Sequence, residues 1–275
     1  MPHLKLLVAN LIWGGLPLYF YFFTNVSPLF MLSMQIITTW IVLSIFTKRE
    51  TITKKKLLSY IPSALFLSAN WGIYAITVQN GFVLEASYAY LIMPVLFLIV
   101  DSITNKSKTT FLVKACAIVA VSIIAIDAMM NEVLPISGLL IATAFTLYAL
   151  WHRKKGFEPL SALKNETFLM MPLAFLFLLF EVNLEVSSTQ VLLLPILGVL
   201  TCLPLVLFIT GSKLVEFRYI SLYQFVSPIT GSILAIMLFN QTLSNGRMFI
   251  YASLICVLCL NIFLNRSKVE HEQRT

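Results

Sequence analysis

Ten apolar runs dominate the chain, separated by short polar clusters. They fall at about 4–23, 28–47, 57–78, 86–103, 112–130, 135–151, 167–181, 190–210, 219–239 and 247–264. A helix rises about 1.5 Å per residue, so roughly 20 apolar residues cross a hydrocarbon core of about 30 Å. Runs such as FLMMPLAFLFLLF lack the alternation of apolar and polar positions that lipid-facing barrel strands carry. The pattern predicts an all-α membrane protein of ten transmembrane helices. The first run is too long for a signal peptide and has no small-residue cleavage site, so it is expected to be a retained helix.

Composition agrees. The 275 residues are 59% hydrophobic and 11% charged, against about 45–50% and 25% in soluble domains, and the mean hydropathy is +0.90. A single water-soluble core has no room for that excess, and a bilayer does. The net charge of +7 then gains a meaning. Of the 19 Lys and Arg residues, all but Arg247 fall at the two termini or in the loops after runs 2, 4, 6 and 8. The positive-inside rule places both termini in the cytoplasm of a multi-pass protein of the cell membrane. Charges confined to short loops suit an anionic leaflet, so nucleic acid is not an expected partner.

The two halves match. SYAYLIMP (87–94) and SLYQFVSP (221–228) align at a constant offset of 134, pairing Ser87 with Ser221, Tyr90 with Gln224 and Pro94 with Pro228. Residues 1–134 and 135–275 then form two repeats of five helices. Five is odd, so the second repeat enters the membrane inverted. Each triplet shares one helix face. A proline within a helix disturbs the carbonyl four residues earlier, here those of Tyr90 and Gln224. Such a break in a membrane is expected to face protein or a wet cavity.

The segments NWGIYAITVQNGFVLEASYAYLIMP, AFTLYALWHRKKGFEPLSALKNETFLMMPLAFLFLL and GVLTCLPLVLFITGSKLVEFRYISLYQFVSPITGSILAIMLF, with the opening LIWGGLPLYFYFF, resemble the RarD-type permeases. These belong to the EamA branch of the drug/metabolite transporter superfamily. The resemblance covers nearly the whole chain. It implies two inverted five-helix repeats and small-molecule transport, usually export. The family usually carries an Arg near the position of Gln35, a Glu near Ser107 and Gln241, and an Asn before the first proline, where this chain has Met93.

A transporter of this architecture binds its substrate near the midplane, between repeats and beside interrupted helices. Candidate substrate-binding residues are Asn10, Trp13, Gln35, Asn70, Trp71, Tyr74, Ser87, Tyr90, Tyr148, Ser221, Tyr223 and Gln224, with Pro94 and Pro228 as helix breaks or gates. Gly81 is expected to permit the turn before run 4. Glu85 and Asp127 are candidates for coupling from the rim or for capping, Glu85 at the start of run 4. Glu132, Glu181 and Glu185 fall in outer loops or at interfaces, so no midplane carboxylate or buried proton relay is expected.

Other chemistry finds little support. Cys116, Cys202, Cys256 and Cys259 lie within predicted helices, and His3, His152 and His271 lie in cytoplasmic segments. That leaves Cys256-x-x-Cys259 without further zinc ligands and a Ser–His nucleophile without its base. No metal, cofactor or enzymatic activity is expected. The reading is a secondary transporter, of exporter type, for a small neutral or zwitterionic metabolite or drug. The alternatives are a membrane assembly or structural protein and an intramembrane enzyme.

Overall fold

The computed structural model describes residues 1–47, 52–104, 111–130, 136–180, 186–212, 214–215 and 223–272. Among these there is no strand. The helices are α1 (Pro2–Tyr21), α2 (Pro28–Phe46), α3 (Lys54–Ser59), α4 (Ile61–Gln79), α5 (Val83–Thr104), α6 (Phe111–Met130), α7 (Ile136–Lys155), α8 (Pro159–Phe180), α9 (Ser188–Ser212), α10 (Val226–Leu238) and α11 (Asn245–Glu272).

Local chemistry sets their ends. Proline opens α1, α2 and α8, where its missing N–H has no intrahelical partner to lose. Ser27 caps α2 by accepting from Phe30 N at 3.1 Å, and the Glu158 carboxylate accepts from Ser161 N at the start of α8 at 2.6 Å. Gly81, at φ +85°, closes α4. There Phe82 N donates to Thr77 O at 2.9 Å and Gly81 N to Val78 O at 3.0 Å, the paired bonds of a Schellman turn. The turn expected at Gly81 forms.

Three boundaries differ from the sequence reading. The third run splits at Tyr60 into α3 and α4, with Pro62 in the first turn of α4. The seventh helix begins at Pro159 rather than 167. The ninth begins at Val226, so Pro228 is its third residue. In a first turn the proline's absent donor breaks no bond, and Ile229 N still reaches Phe225 O at 3.2 Å. Pro94, by contrast, lies within the continuous helix α5.

Five helices, α1, α2, α4, α8 and residues 188–211 of α9, are long and apolar enough to cross a membrane. Val83–Met93 and Val226–Leu238 are shorter apolar stretches. The chain is built as a multi-pass membrane protein, and its exposure pattern follows. Leu192, Ile196, Val199 and Leu203 recur at helical spacing on the outer face of α9, and Phe168, Phe175 and Leu179 on that of α8, all exposed. In water such stripes would form a large apolar patch; in lipid they are the contact surface.

Inward faces carry small residues and hydroxyls. Thr38, Thr77, Thr146 and Thr167 are buried, and each hydroxyl donates to the carbonyl four residues back, at 2.6 to 2.8 Å. Glycines let backbones meet. A Cβ built on Gly14 would lie 2.6 Å from Ser227 O, one on Gly138 3.0 Å from Glu85 O, and one on Gly198 2.5 Å from the Thr38 carbonyl carbon. Close approach through small residues is how helices associate where lipid removes the hydrophobic drive between them. α1 packs on α9 and α10, α2 on α8 and α9, α4 on α7 and α8, α5 on α7 and α10, and α6 on α11.

Candidate substrate site

Five of the predicted site residues gather around α4. Asn70, Trp71 and Tyr74 lie on adjoining faces of that helix. Asn70 Nδ2 donates to Ile141 O of α7 at 2.9 Å, tying the two helices together. Tyr74 is buried, with Phe20 of α1 and Tyr90 of α5 edge-on to it at ring distances of 5.9 and 6.4 Å. Trp71 and Tyr148 pack on one apolar cluster that includes Leu32, Ile36, Leu67 and Leu163. The result is an aromatic wall of Phe20, Tyr74 and Tyr90 from α1, α4 and α5, beside a second cluster that takes in Trp71 and Tyr148, with Asn70 between α4 and α7.

The other candidates sit elsewhere. Asn10 turns its amide back on its own helix, donating to Leu6 O at 2.9 Å. Trp13 tilts against Phe208 of α9 at 5.5 Å. Gln35 is buried and donates to Thr201 Oγ1 of α9 at 3.3 Å. Ser87 is buried beside Gly231 of α10, at the contact between the two proline-bearing helices. Tyr223 reaches His3 Nδ1 at 3.2 Å, at the start of α1, and Gln224 is exposed. Neither joins Tyr90. Ser221 lies outside the described residues, as do Glu132, Glu181 and Glu185.

Glu85 does cap a helix, but not its own. Its carboxylate accepts from Ser137 N, in the first turn of α7, at 2.9 Å. The N-terminus of α5 is served from the other half, where Gln241 Oε1 accepts from Leu84 N at 2.8 Å. Both fit the positive end of a helix dipole. Asp127 lies near the end of α6. It is buried, with Arg247 Nε 3.9 Å from its carboxylate, and the stacked rings of Tyr88 and Tyr251 join α5 to α11 near the same end at 5.1 Å. Arg247→Ala should lower the thermal midpoint of the purified protein, by about 1–3 kcal/mol for a buried carboxylate that loses its cation. Adding Asp127→Asn should restore part of the loss; a double variant no better than the single one would show that the pair is not coupled.

Sequence reasoning misses one residue altogether. Glu166 of α8 is fully buried. Its Oε1 lies 2.6 Å from His152 Nε2, and its Oε2 accepts from the Tyr148 hydroxyl at 3.2 Å. The sequence reading, which looks for carboxylates at the midplane, does not consider this one. The KNE cluster resembles a loop, so the hydropathy pattern starts the seventh run at 167, one residue too late to include Glu166. The signal available is Glu158-Pro159, a helix start that puts Glu166 two turns inside α8.

No protein-family model matches the chain. Curated relatives do, across nearly its full length. It is 27% identical over 272 residues to the uncharacterized transporter YojE of Bacillus subtilis, covering 93% of this chain and 91% of that protein. It is 25% identical over 281 residues to the protein RarD of Salmonella typhi, covering 95% and 96%. The chain is a relative of the RarD-type permeases. A more distant RarD, named a chloramphenicol-sensitive protein in Pseudomonas aeruginosa, is 21% identical over 69% of the chain and 65% of its own length. The RarD-type resemblance therefore rests on whole-chain similarity as well as on the quoted segments. The aromatic wall and the Glu166 cluster belong to a chain some of whose relatives are named as transporters.

Proposed function

We propose that this protein is a secondary transporter in which two inverted five-helix repeats alternate access to a shared site, exporting a small neutral or zwitterionic metabolite or drug. Ten helices would cross the cell membrane with both termini in the cytoplasm. The observation that carries the reading is the exchange pattern of the packing. Number the long helices without α3, so that α1, α2, α4, α5 and α6 correspond to α7, α8, α9, α10 and α11. The contact of α4 with α7 then maps onto that of α9 with α1, and α5 with α7 onto α10 with α1, while α2–α8, α5–α10 and α6–α11 map onto themselves. The glycine contacts follow the same pairing of helices: Gly14 of α1 seats on α10, and Gly138 of α7 seats on α5. Contacts between the halves that map onto one another under exchange are what rocking of one half against the other about a central site requires.

The lining supports the substrate class. Gln35 stands where the family usually has Arg, and the wall around Tyr74 is aromatic and amide-bearing, suited to a largely apolar solute with a few polar handles. Inversion also explains why Tyr90 and Gln224 do not meet. Equivalent positions in inverted repeats lie at opposite depths, and only the region near Pro94 and Pro228 comes to a common level.

Thermal shift followed by flux tests the proposal. A solute at 100 times its dissociation constant should stabilise the purified protein by about 2.7 kcal/mol. That shift should vanish in Tyr74→Ala and Tyr90→Ala and persist in Tyr223→Ala and Gln224→Ala. The same solute should then show saturable flux in proteoliposomes. Flux equal to that of empty liposomes, for every solute that binds, would contradict transport.

A further inference from the structure

Two carboxylates among the described residues are both buried and held by a basic partner, and the partners differ. Asp127 faces Arg247, whose guanidinium keeps its proton at all relevant pH. That pair is fixed. Glu166 faces His152, whose ring nitrogen, unlike a guanidinium, can hold the shared proton or accept a hydrogen bond without it. This pair is conditional. The Glu166 side chain has no exposure, whereas that of His152 retains 14%, which gives the buried acid a route to water through the imidazole.

The surroundings leave the two groups to each other. From α7, the Tyr148 hydroxyl donates to Glu166, and its ring lies 4.2 Å from that of His152. Phe157 closes the other side of His152 at 5.4 Å and meets Tyr60 at 4.3 Å. α2 and α4, which pack on α8, contain no charged side chain; Tyr74 is the one titratable group of α4. The charged neighbours in sequence, Arg153, Lys154, Lys155 and Glu158, are exposed, and Lys164 is half-buried.

We propose that Glu166, His152 and Tyr148 form a proton-binding site that couples transport to the proton gradient, an inference that rests on the transport reading. One proton is held, either on the imidazole beside a carboxylate or, after the His152 Nε2–H bond breaks and a Glu166 O–H bond forms, on the carboxyl beside a neutral ring. Both forms are neutral as a pair. Loss of that proton to water leaves a buried carboxylate without a cation, an expensive state for a low-dielectric site. The protein without solute therefore changes conformation readily with the proton bound and poorly without it, so that solute leaves in exchange for a proton. Tyr148 packs on the same apolar cluster as Trp71, which lies on the helix that also carries Tyr74, so the proton site and the aromatic wall share α4 as a neighbour.

Two measurements on the full-length protein test this. In pH-difference infrared spectra without solute, the wild type should show a protonated-carboxyl carbonyl component that is absent in Glu166→Gln and retained in Asp127→Asn. A spectrum unchanged by Glu166→Gln would overturn the site. In proteoliposomes, with radiolabelled chloramphenicol as probe, the wild type should accumulate solute against its gradient when a pH difference is imposed. Glu166→Gln should fall to the level seen at equal pH yet keep solute-for-solute exchange. His152→Gln, which leaves the carboxyl in place, should do the same and serves if Glu166→Gln does not fold. Gradient-driven accumulation retained in both variants would overturn coupling while leaving transport standing. Absence of all flux in the wild type would instead sink the transport reading, and the infrared arm then decides the proton site alone.

Discussion

Gly198→Ala should destabilise this protein severely for a change of one methyl group. The added carbon would lie 2.5 Å from the Thr38 carbonyl carbon, 2.6 Å from its oxygen and 2.9 Å from its Cβ. Two of these atoms are backbone, so no rotamer change relieves the clash, and α2 and α9 must move apart. Overpacking costs about 1–3 kcal/mol where neighbours can adjust; at Gly198 the backbone of α2 cannot, and the upper end or beyond is expected. Separating α2 from α9 also disturbs Gln35, whose amide bonds Thr201 one turn along α9. A thermal melt of the purified variant reads the loss. An unchanged midpoint would mean that the two helices do not meet at this depth.

The second large effect comes with its own control. Gly14→Ala places a carbon 2.6 Å from Ser227 O and 2.7 Å from Thr230 Cβ, on α10. Gly15→Ala, one residue on, meets nothing within 4 Å. The first change should destabilise by an amount near that of Gly198→Ala. The second should stabilise by about 0.5–1 kcal/mol, because alanine in a helix loses less backbone entropy than glycine. Gly138→Ala, on the corresponding helix of the other half, should sit between them, since its closest contact is 3.0 Å. Equal effects at Gly14 and Gly15 would mean that α1 and α10 do not touch at Gly14.

That pair of glycines also marks the limit of what the sequence makes legible. Hydropathy is a one-dimensional signal, so the ten apolar runs appear as helices close to their expected places. Gly14 and Gly15 are indistinguishable in sequence, and only the arrival of α10 against one of them separates a contact from a free position. Glu85 is legible as a cap but points to the wrong helix, because which N-terminus a side chain reaches is decided by tertiary packing. Grouping Tyr223 and Gln224 with Tyr90 assumes a helix continuous through Pro228. The helix instead starts at Val226, and the two residues fall before it. Glu166 is hidden by a boundary. A Lys-Asn-Glu cluster is usually a loop, and in this chain it forms the second and third turn of α8. The lysine is half-buried, the glutamate fully buried, and the imidazole that compensates it sits on another helix.

If the repeats are inverted, equivalent parts of the two halves face opposite sides of the membrane. Phe82 follows α4 and is 58% exposed; Leu214 follows the corresponding helix α9 and is 73% exposed. With the four native cysteines replaced, single cysteines at these two positions should be probed in intact cells with a membrane-impermeant maleimide. Inversion predicts that Phe82→Cys is modified at once and Leu214→Cys only after the membrane is permeabilised. Modification of both from the same side would contradict the inverted repeat, and with it the alternating mechanism.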